Sequence, residues 1–164
     1  MTGRVGMGFD VHPFSTDAPG ERPLVLGGVR FEGERALAGH SDADVVAHAV
    51  ADALLGAAGL GDIGMHFPDT DPAWAGADSI RLLVAVVGLV TAEGWTVANV
   101  DCSVVLEAPR LAPRRGEMQA CLSDAVGAPV TIKGKRAEGL GALGRAEGVA
   151  CWAVALLEPQ GSTP

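Results

Sequence analysis

The chain has 164 residues, 48% of them hydrophobic, and a formal net charge of −8 at pH 7. This length suits a single domain over residues 1–164 and is too short for two domains of ordinary size. The acidic balance argues against general binding of nucleic acid. The longest apolar run, residues 82–90, is too short to cross a membrane, and no signal-peptide pattern is present at the N-terminus. We therefore expect a cytoplasmic protein.

Hydrophobic periodicity and turn residues predict α+β structure. Strands are expected at residues 5–11, 24–26, 29–31, 96–106, 130–133 and 149–157, and helices from about 41–44 to 59, 78–79 to 94 and 113 to 127. Ser41 with Asp44 resembles a capping box at the start of the first helix. Helices packed on one face of a sheet leave the other face apolar and uncovered, so we expect a partner subunit to cover it.

The charges and the cysteines are unevenly placed along the chain. Residues 1–109 carry 5 basic and 15 acidic side chains, whereas residues 110–164 carry 7 and 5. This division favours a cation site in the first part and phosphate contacts in the second, and the alternative is an ordinary solvated surface. The cysteines at 102, 121 and 151 are odd in number and lie in apolar surroundings, which predicts reduced core residues without a disulfide.

The segment Gly8–His12 indicates a metal site. In a strand, Asp10 and His12 share a face, and His48 on the first helix can supply a third ligand. Two imidazoles and one carboxylate suit zinc and leave a fourth position open, as in catalytic sites. Asp44 is a candidate partner of His48, on a polar stripe that continues to Asp52. The alternative is that these are ordinary core or surface residues.

Two loops carry further candidate binding residues. Residues 60–72 contain Gly61, Gly64, Asp62 and Asp69, and they indicate either a site for sugar hydroxyls or a turn with helix-capping acids. Residues 133–148 are rich in glycine and basic residues, which indicates a phosphate site. This second loop matches neither of the common nucleotide-binding glycine motifs.

Taken together, these motifs resemble the 2-C-methyl-D-erythritol 2,4-cyclodiphosphate synthase family over nearly the whole chain. They are Gly8–His12, His40–Asp42 with Asp44 and His48, residues 52–56, residues 61–64 and residues 67–72, in the family's order and spacing. The resemblance implies a homotrimer in which each subunit has a four-stranded mixed sheet with helices on one face, the three sheets surrounding a trimer axis. It implies cyclisation of 4-diphosphocytidyl-2-C-methylerythritol 2-phosphate with release of cytidine monophosphate.

The resemblance also assigns residues. Asp10, His12 and His48 are implied zinc ligands, one ion per subunit, with a second divalent ion, magnesium or manganese, arriving with the substrate. The implied catalytic residues are His40, Ser41, Lys135, Arg136 and Glu138. The implied substrate-binding residues are Asp62, Ile63, Gly64, Phe67, Asp69, Ala108, Pro109, Arg110, Leu111, Gly134 and Arg145. Active sites are expected between subunits, and an isoprenoid diphosphate is expected near Arg145 on the trimer axis, unless Arg145 only pairs with Glu147.

One segment departs from the family pattern. The family usually has Thr-Thr-Thr-Glu where this chain has Lys135, Arg136, Ala137 and Glu138, and Arg110 replaces a usual lysine. Cations have replaced hydroxyl donors there. Two other functions compete with this one: a zinc phosphohydrolase with Asp44 or Asp62 as its general base, and a non-catalytic trimer that binds isoprenoid diphosphates.

Overall fold

A computed structural model of the chain describes residues 2–161. Its strands are β1 (Arg4–Pro13), β2 (Leu24–Leu26), β3 (Val29–Phe31), β4 (Trp95–Val105), β5 (Val130–Lys135) and β6 (Gly148–Pro159). The main sheet has the order β1-β6-β4-β5, in which β4 and β5 run parallel and the other neighbours antiparallel. β2 and β3 form a separate hairpin. The predicted four-stranded mixed sheet and the α+β class are confirmed.

Three long helices cover one face of this sheet. They are α1 (Val45–Ala58), α3 (Ser79–Ala92) and α4 (Arg115–Val126); α2 (Ile63–His66) and α5 (Gly141–Gly144) are single turns, and Pro72–Trp74 form a 3-10 turn. α1 and α4 end at Gly59 and Gly127, both in the left-handed conformation that favours glycine. The long helices agree with the sequence prediction, whereas the short turns were not predicted.

The start of α1 differs from the prediction. Asp44 is the N-cap and accepts hydrogen bonds from the amides of Val46 and Ala47, so the predicted capping box with Ser41 as N-cap is wrong. Ala43 has a φ of 58°, which places a left-handed residue before the cap and prevents the helix from starting at Ser41. The Ser41 hydroxyl accepts instead from the amide of Ala43, at 3.2 Å.

α1 packs closely on β1 because β1 carries glycines on its inner face. A Cβ at Gly6 would lie 2.0 Å from the carbonyl oxygen of Ala53, and one at Gly8 would lie 2.0 Å from that of Ala49. Eleven of the 14 residues of α1 are buried. The contact therefore holds the helix against the strand at backbone distance, with His48 above Asp10 and His12.

The opposite face of the sheet carries exposed apolar side chains. On β1 these are Val5, Met7, Phe9 and Val11, which alternate with the inner positions, and on β6 they are Trp152 and Val154. The rings of Phe9 and Trp152 pack with their centroids 4.9 Å apart and their planes tilted by 45°. Within residues 2–161, no helix combines the length and apolar character needed to span a membrane.

The cysteines agree with the prediction. Cys102 and Cys151 are buried and Cys121 is half-buried, and all three are free thiols. They lie in or beside the core and do not crosslink the fold.

Candidate metal centre and substrate cavities

Asp10, His12 and His48 come together where the end of β1 faces α1. Asp10 Oδ2 lies 3.1 Å from His12 Nε2 and 3.0 Å from His48 Nδ1, and the two nitrogens are 3.4 Å apart. All three residues are partly buried. The strand periodicity and the helix position predicted from the sequence therefore converge on one point.

The three atoms Asp10 Oδ2, His12 Nε2 and His48 Nδ1, here called the triangle, fit a divalent ion. A tetrahedral zinc ion, with ligand bonds of about 2.0–2.1 Å, separates its ligand atoms by about 3.3 Å. The observed separations are already close to that spacing without any rearrangement of the side chains. Two imidazole nitrogens and one carboxylate oxygen form the ligand set of catalytic sites with an open fourth position.

The His12 nitrogen that points away from the triangle, Nδ1, is held by a backbone hydrogen bond. His12 Nδ1 is 2.8 Å from the carbonyl oxygen of Ala38, which only accepts, so Nδ1 carries the hydrogen. In the neutral ring Nε2 would present its lone pair to an ion on the triangle, and in the protonated ring Nε2 donates to Asp10. A ligating histidine that donates its second N–H to a carbonyl is the common arrangement in metal sites.

The three groups shift one another's proton affinity. Burial alone would raise the pKa of Asp10, but the hydrogen bonds from His12 and His48 outweigh it and hold that pKa well below its usual range. Burial lowers the pKa of His12, while its hydrogen bond to Asp10 raises it, and the net shift is upward. Asp10 is therefore ionised over the physiological range, as a metal ligand must be.

Asp44 is not a partner of His48, contrary to the sequence expectation. Its buried carboxylate accepts four backbone N–H groups, two at the start of α1 and those of Gly27 and Gly28 at 2.8 and 2.6 Å. It thus joins the turn of the β2–β3 hairpin to the start of α1. The outer nitrogen of His48 instead meets Ser79 Oγ at 2.8 Å and Ser41 Oγ at 3.2 Å.

A cavity of about 410 Å³ opens beside the triangle. His12 and His48 lie in its wall together with six residues that the resemblance assigns to catalysis or to substrate binding. These are His40, Ser41, Ile63, Gly64, Phe67 and Asp69. Asp62 does not line the cavity; it caps α2 by accepting from the amide of Met65 at 3.0 Å.

Four lining residues of this cavity are not among the predicted site residues: Gly39, Pro68, Trp74 and Leu82. Trp74 packs edge-on against Phe67, with centroids 5.0 Å apart, and Leu82 comes from the first turn of α3. Asp52 was placed on the helix stripe but given no role, and its carboxylate accepts from the amide of Ile63 at 2.8 Å. Apolar residues in loops and contacts between distant segments give no periodic signal.

A second cavity, of about 350 Å³, lies between the ends of β4 and β5 and the start of α4. It brings together six predicted residues: Pro109, Arg110, Leu111, Gly134, Lys135 and Arg136. Ala108 and Glu138 lie in the same two loops but do not line it. Glu107 and Arg115 also line the cavity and were not predicted. The lining is strongly basic, which suits an anionic ligand.

Glu107 organises the loop that departs from the family pattern. Its Oε2 accepts from Arg136 Nε at 3.0 Å and Nη2 at 2.9 Å, and its Oε1 accepts from the amide of Ala137 at 2.9 Å. The Arg136 guanidinium lowers the pKa of Glu107. Arg136 is thus tied to a carboxylate, and Glu138 follows at a φ of 53°, in the left-handed region.

Arg145 lies apart from both cavities. Its Nε donates to Glu147 Oε1 at 2.6 Å, which is the structural alternative to a role in binding a ligand. With Arg35 it lines a shallow, open depression near the end of β1. Arg35 stacks on Phe14 and donates to the carbonyl oxygen of Ala146 at 3.0 Å.

Comparison with known proteins agrees with this arrangement. The family model of the YgbB family matches residues 3–158. The chain belongs to the YgbB family. Within it, 2-C-methyl-D-erythritol 2,4-cyclodiphosphate synthase of Bordetella avium is 54% identical over 160 residues, which are 96% of this chain and 96% of that protein. The resemblance drawn from the motifs is therefore confirmed.

Other YgbB relatives are longer or have been solved with a nucleotide. The bifunctional enzyme IspD/IspF of Anaeromyxobacter dehalogenans is 54% identical over 155 residues, 93% of this chain, and the chain spans 39% of that protein's length. The structure described as the CDP complex of IspF from Plasmodium falciparum is 30% identical, covers 96% of each chain and has a TM-score of 0.82.

Proposed function

We propose that this chain is a metal-dependent cyclodiphosphate synthase. It converts 4-diphosphocytidyl-2-C-methyl-D-erythritol 2-phosphate to 2-C-methyl-D-erythritol 2,4-cyclodiphosphate and cytidine monophosphate, a step in isoprenoid precursor biosynthesis. The observation that carries the proposal is the preformed triangle of Asp10, His12 and His48 in the wall of a cavity, in a chain that shares its family with named synthases over nearly its whole length.

The reaction is intramolecular and needs no protein nucleophile. An oxygen of the 2-phosphate attacks the β-phosphorus, and the bond from that phosphorus to the bridging oxygen breaks, leaving its electron pair on cytidine monophosphate. Alignment of the two reacting groups within one bound substrate supplies much of the rate enhancement. A zinc ion on the triangle and a magnesium or manganese ion with the substrate would neutralise the charge that develops on the phosphates.

Different residues of the chain bind different parts of the substrate in this proposal. His40 and Ser41 contact the phosphates beside the triangle. Ile63 and Gly64 hold the methylerythritol part, supported by Phe67 and Asp69, and Asp62 fixes the start of α2 that carries them. Cytidine occupies the basic cavity lined by Pro109, Arg110, Leu111 and Gly134, next to Ala108. Lys135 and Arg136 face the diphosphate there, and Glu138 assists at the second ion.

Among residues 2–161 of one chain, the two cavities share no lining residue, which supports active sites formed between subunits. The exposed apolar face of β1 and β6 is the surface that we assign to a homotrimer. An isoprenoid diphosphate on the trimer axis stays a prediction, as does a location in the cytoplasm. Arg145 is already paired with Glu147, so such a ligand would have to displace or share that contact.

The zinc phosphohydrolase is disfavoured by the positions of its candidate bases. Asp44 is fully buried and its oxygens are occupied by backbone amides, and Asp62 caps α2 outside the cavity. Neither carboxylate is placed to take a proton from water at the triangle. A purely binding trimer gives no reason for a preassembled ligand set.

Phosphorus NMR of the purified protein with the cytidine substrate and magnesium tests the proposal. We expect the cyclic diphosphate and cytidine monophosphate to appear together, to stop after chelation and to return with zinc. Asp10→Asn should abolish the product, whereas Asp101→Asn, which removes a strand carboxylate paired with Lys133, should not. Release of inorganic phosphate would support the hydrolase, and binding without turnover would support the non-catalytic trimer.

A further inference from the structure

The outer nitrogen of His48 is met by two serine hydroxyls. The side chain of His48 is 12% exposed, and its Nδ1 points to Asp10 within the triangle. On the other side, Nε2 lies 2.8 Å from Ser79 Oγ, the first residue of α3, and 3.2 Å from Ser41 Oγ. Ser79 is 1% exposed, so the contact is closed to solvent.

The direction of these hydrogen bonds follows from the next residue along. The Ser79 hydroxyl contacts the carboxylate of Asp42, which accepts and does not donate. A serine hydroxyl has one hydrogen, so Ser79 donates it to Asp42 and can only accept from His48. Nδ1 faces the Asp10 carboxylate at 3.0 Å, and an ion on the triangle would take the Nδ1 lone pair. With an ion bound, Nε2 therefore carries the hydrogen of the imidazole and donates it to Ser79.

Asp42 is itself held in place by the backbone. Its second oxygen accepts from the amide of Ser79 at 3.1 Å, and its own amide donates to the carbonyl oxygen of Ala77 at 3.0 Å. One step away, the amide of Gly76 donates to the carbonyl oxygen of His40 at 2.8 Å. These bonds fasten the segment before α1 to the segment before α3 and leave the Asp42 carboxylate one orientation.

We infer that Asp42 and Ser79 are positioning residues that set the tautomer and ring orientation of His48 for metal binding. The chain of contacts from Asp42 through Ser79 to His48, here called the relay, does for His48 what the carbonyl oxygen of Ala38 does for His12. The inference rests on the proposed metal-dependent function. Neither residue needs to touch the substrate or the ion.

Removal of the Ser79 hydroxyl tests the relay. We expect Ser79→Ala to weaken zinc binding about 10- to 100-fold, the usual effect of losing the outer partner of a ligating histidine. The measurement is competition with a chromophoric chelator, accompanied by the visible spectrum of the cobalt-substituted protein, whose bands report the ligand geometry. Asp42→Asn should weaken zinc binding less, because the amide keeps one acceptor oxygen.

Asp78→Ala is the matched control. Asp78 caps α3 by accepting from the amide of Ile80 at 2.9 Å, so its loss damages the same end of the same helix without touching the relay. We expect this variant to lose stability but to bind zinc as the wild type does. Equal zinc affinity in Ser79→Ala and the wild type would overturn the inference, as would an equal loss in Asp78→Ala.

A nitrogen measurement on the zinc-loaded protein gives a readout other than activity. Long-range proton–nitrogen spectra should show His48 protonated at Nε2, with that hydrogen protected from exchange with solvent, and Ser79→Ala should lose the protection. A wild type that binds zinc but does not protect the Nε2 hydrogen would overturn the relay alone. A wild type that binds no divalent ion would overturn the proposed function and the relay with it.

Discussion

Asp52 lies one helical turn after His48, and its carboxylate affects stability in two opposite ways. Burial raises its pKa, the hydrogen bond from the Ile63 amide opposes that shift, and the negative charges of Asp62 and Asp10 add to it. The net shift is upward, so ionised Asp52 is less favourable in the folded metal-free protein than in the unfolded chain. The hydrogen bond holds the start of α2 beside the cavity.

Asp52→Asn should therefore stabilise the metal-free protein at neutral pH, because the amide keeps the acceptor and removes the charge. The gain should be below about 1 kcal/mol for a half-buried group. It should be absent below the unfolded pKa, near 3.8, and grow as the pH rises through the folded pKa. Urea unfolding with chelator at several pH values measures it.

Asp52→Ala serves as the control for this prediction. It removes the charge and the hydrogen bond together, and loss of the bond should cost about 1 kcal/mol at every pH. A free-energy difference between Asp52→Asn and the wild type that does not change with pH would contradict the assignment of the charge effect.

His48→Ala should abolish bound metal and turnover while leaving a folded protein. Removal of one of three ligands leaves two, and alanine is the best helix former, so α1 should persist. Metal content by mass spectrometry and far-ultraviolet circular dichroism test the two parts. His66→Ala is the control for metal content, because His66 contacts the carbonyl oxygen of Leu60 outside the triangle. Full metal content in His48→Ala would refute the ligand assignment.

Glu107→Gln should weaken substrate binding and leave the chemical step nearly unchanged. The variant loses the charge that holds Arg136, so the loop at the basic cavity becomes less fixed. We expect KM to rise about two- to fivefold with little change in kcat. Glu117→Gln breaks a similar pair, with Arg114, on the outside of α4 and should leave KM unchanged. A fall in kcat alone would show that Glu107 acts in the chemical step.

The packing of α1 against β1 should contribute strongly to stability and hold His48 in position beside Asp10. Gly8→Ala should cost about 2 kcal/mol or more in unfolding free energy, because its Cβ would collide with the backbone of α1 at Ala49 and Ala53. It should also lower metal affinity, since His48 would move relative to Asp10. Gly88→Ala, in the middle of α3 with open space around it, should instead stabilise by about 0.5–1 kcal/mol. Thermal and urea unfolding measure both variants, and equal effects would contradict the packing argument.

The residues of α1, β1 and the loops show which parts of the site could be predicted from the sequence. The period of two along β1 and the position of His48 on α1 predicted the triangle, because each ligand lies in a regular element. Ser79 lies 37 residues from Asp42, and nothing local indicates that contact. The pairing of Glu107 with Arg136 likewise depends on how two loops meet. Asp44 was placed correctly on the chain but assigned the wrong partner, because its cap role depends on the left-handed Ala43.

The exposed apolar face of β1 and β6 should determine how subunits associate. Val154→Glu would put a charge in the middle of the apolar surface that we assign to the trimer, and burial of an unpaired charge is strongly unfavourable. We expect this variant to sediment as a monomer, whereas the wild type sediments as a trimer. Val84→Glu is the control: Val84 is 51% exposed on α3, similar to Val154 at 47%, but lies on the helical side. A monomeric wild type would refute the assigned interface.

The close contact between α1 and β1 also bears on how the protein would acquire the proposed ion. All three candidate ligands lie on these two elements, which pack through backbone contact and contribute much of the core. We therefore expect the fold to form before the ion binds, unlike in small domains that fold only when zinc binds. A chelator should yield a folded protein able to reload, and free metal at 100 times its Kd should add about 2.7 kcal/mol to stability by mass action alone. The concentration of free metal would then change how stable the protein is against unfolding, but not which fold it adopts.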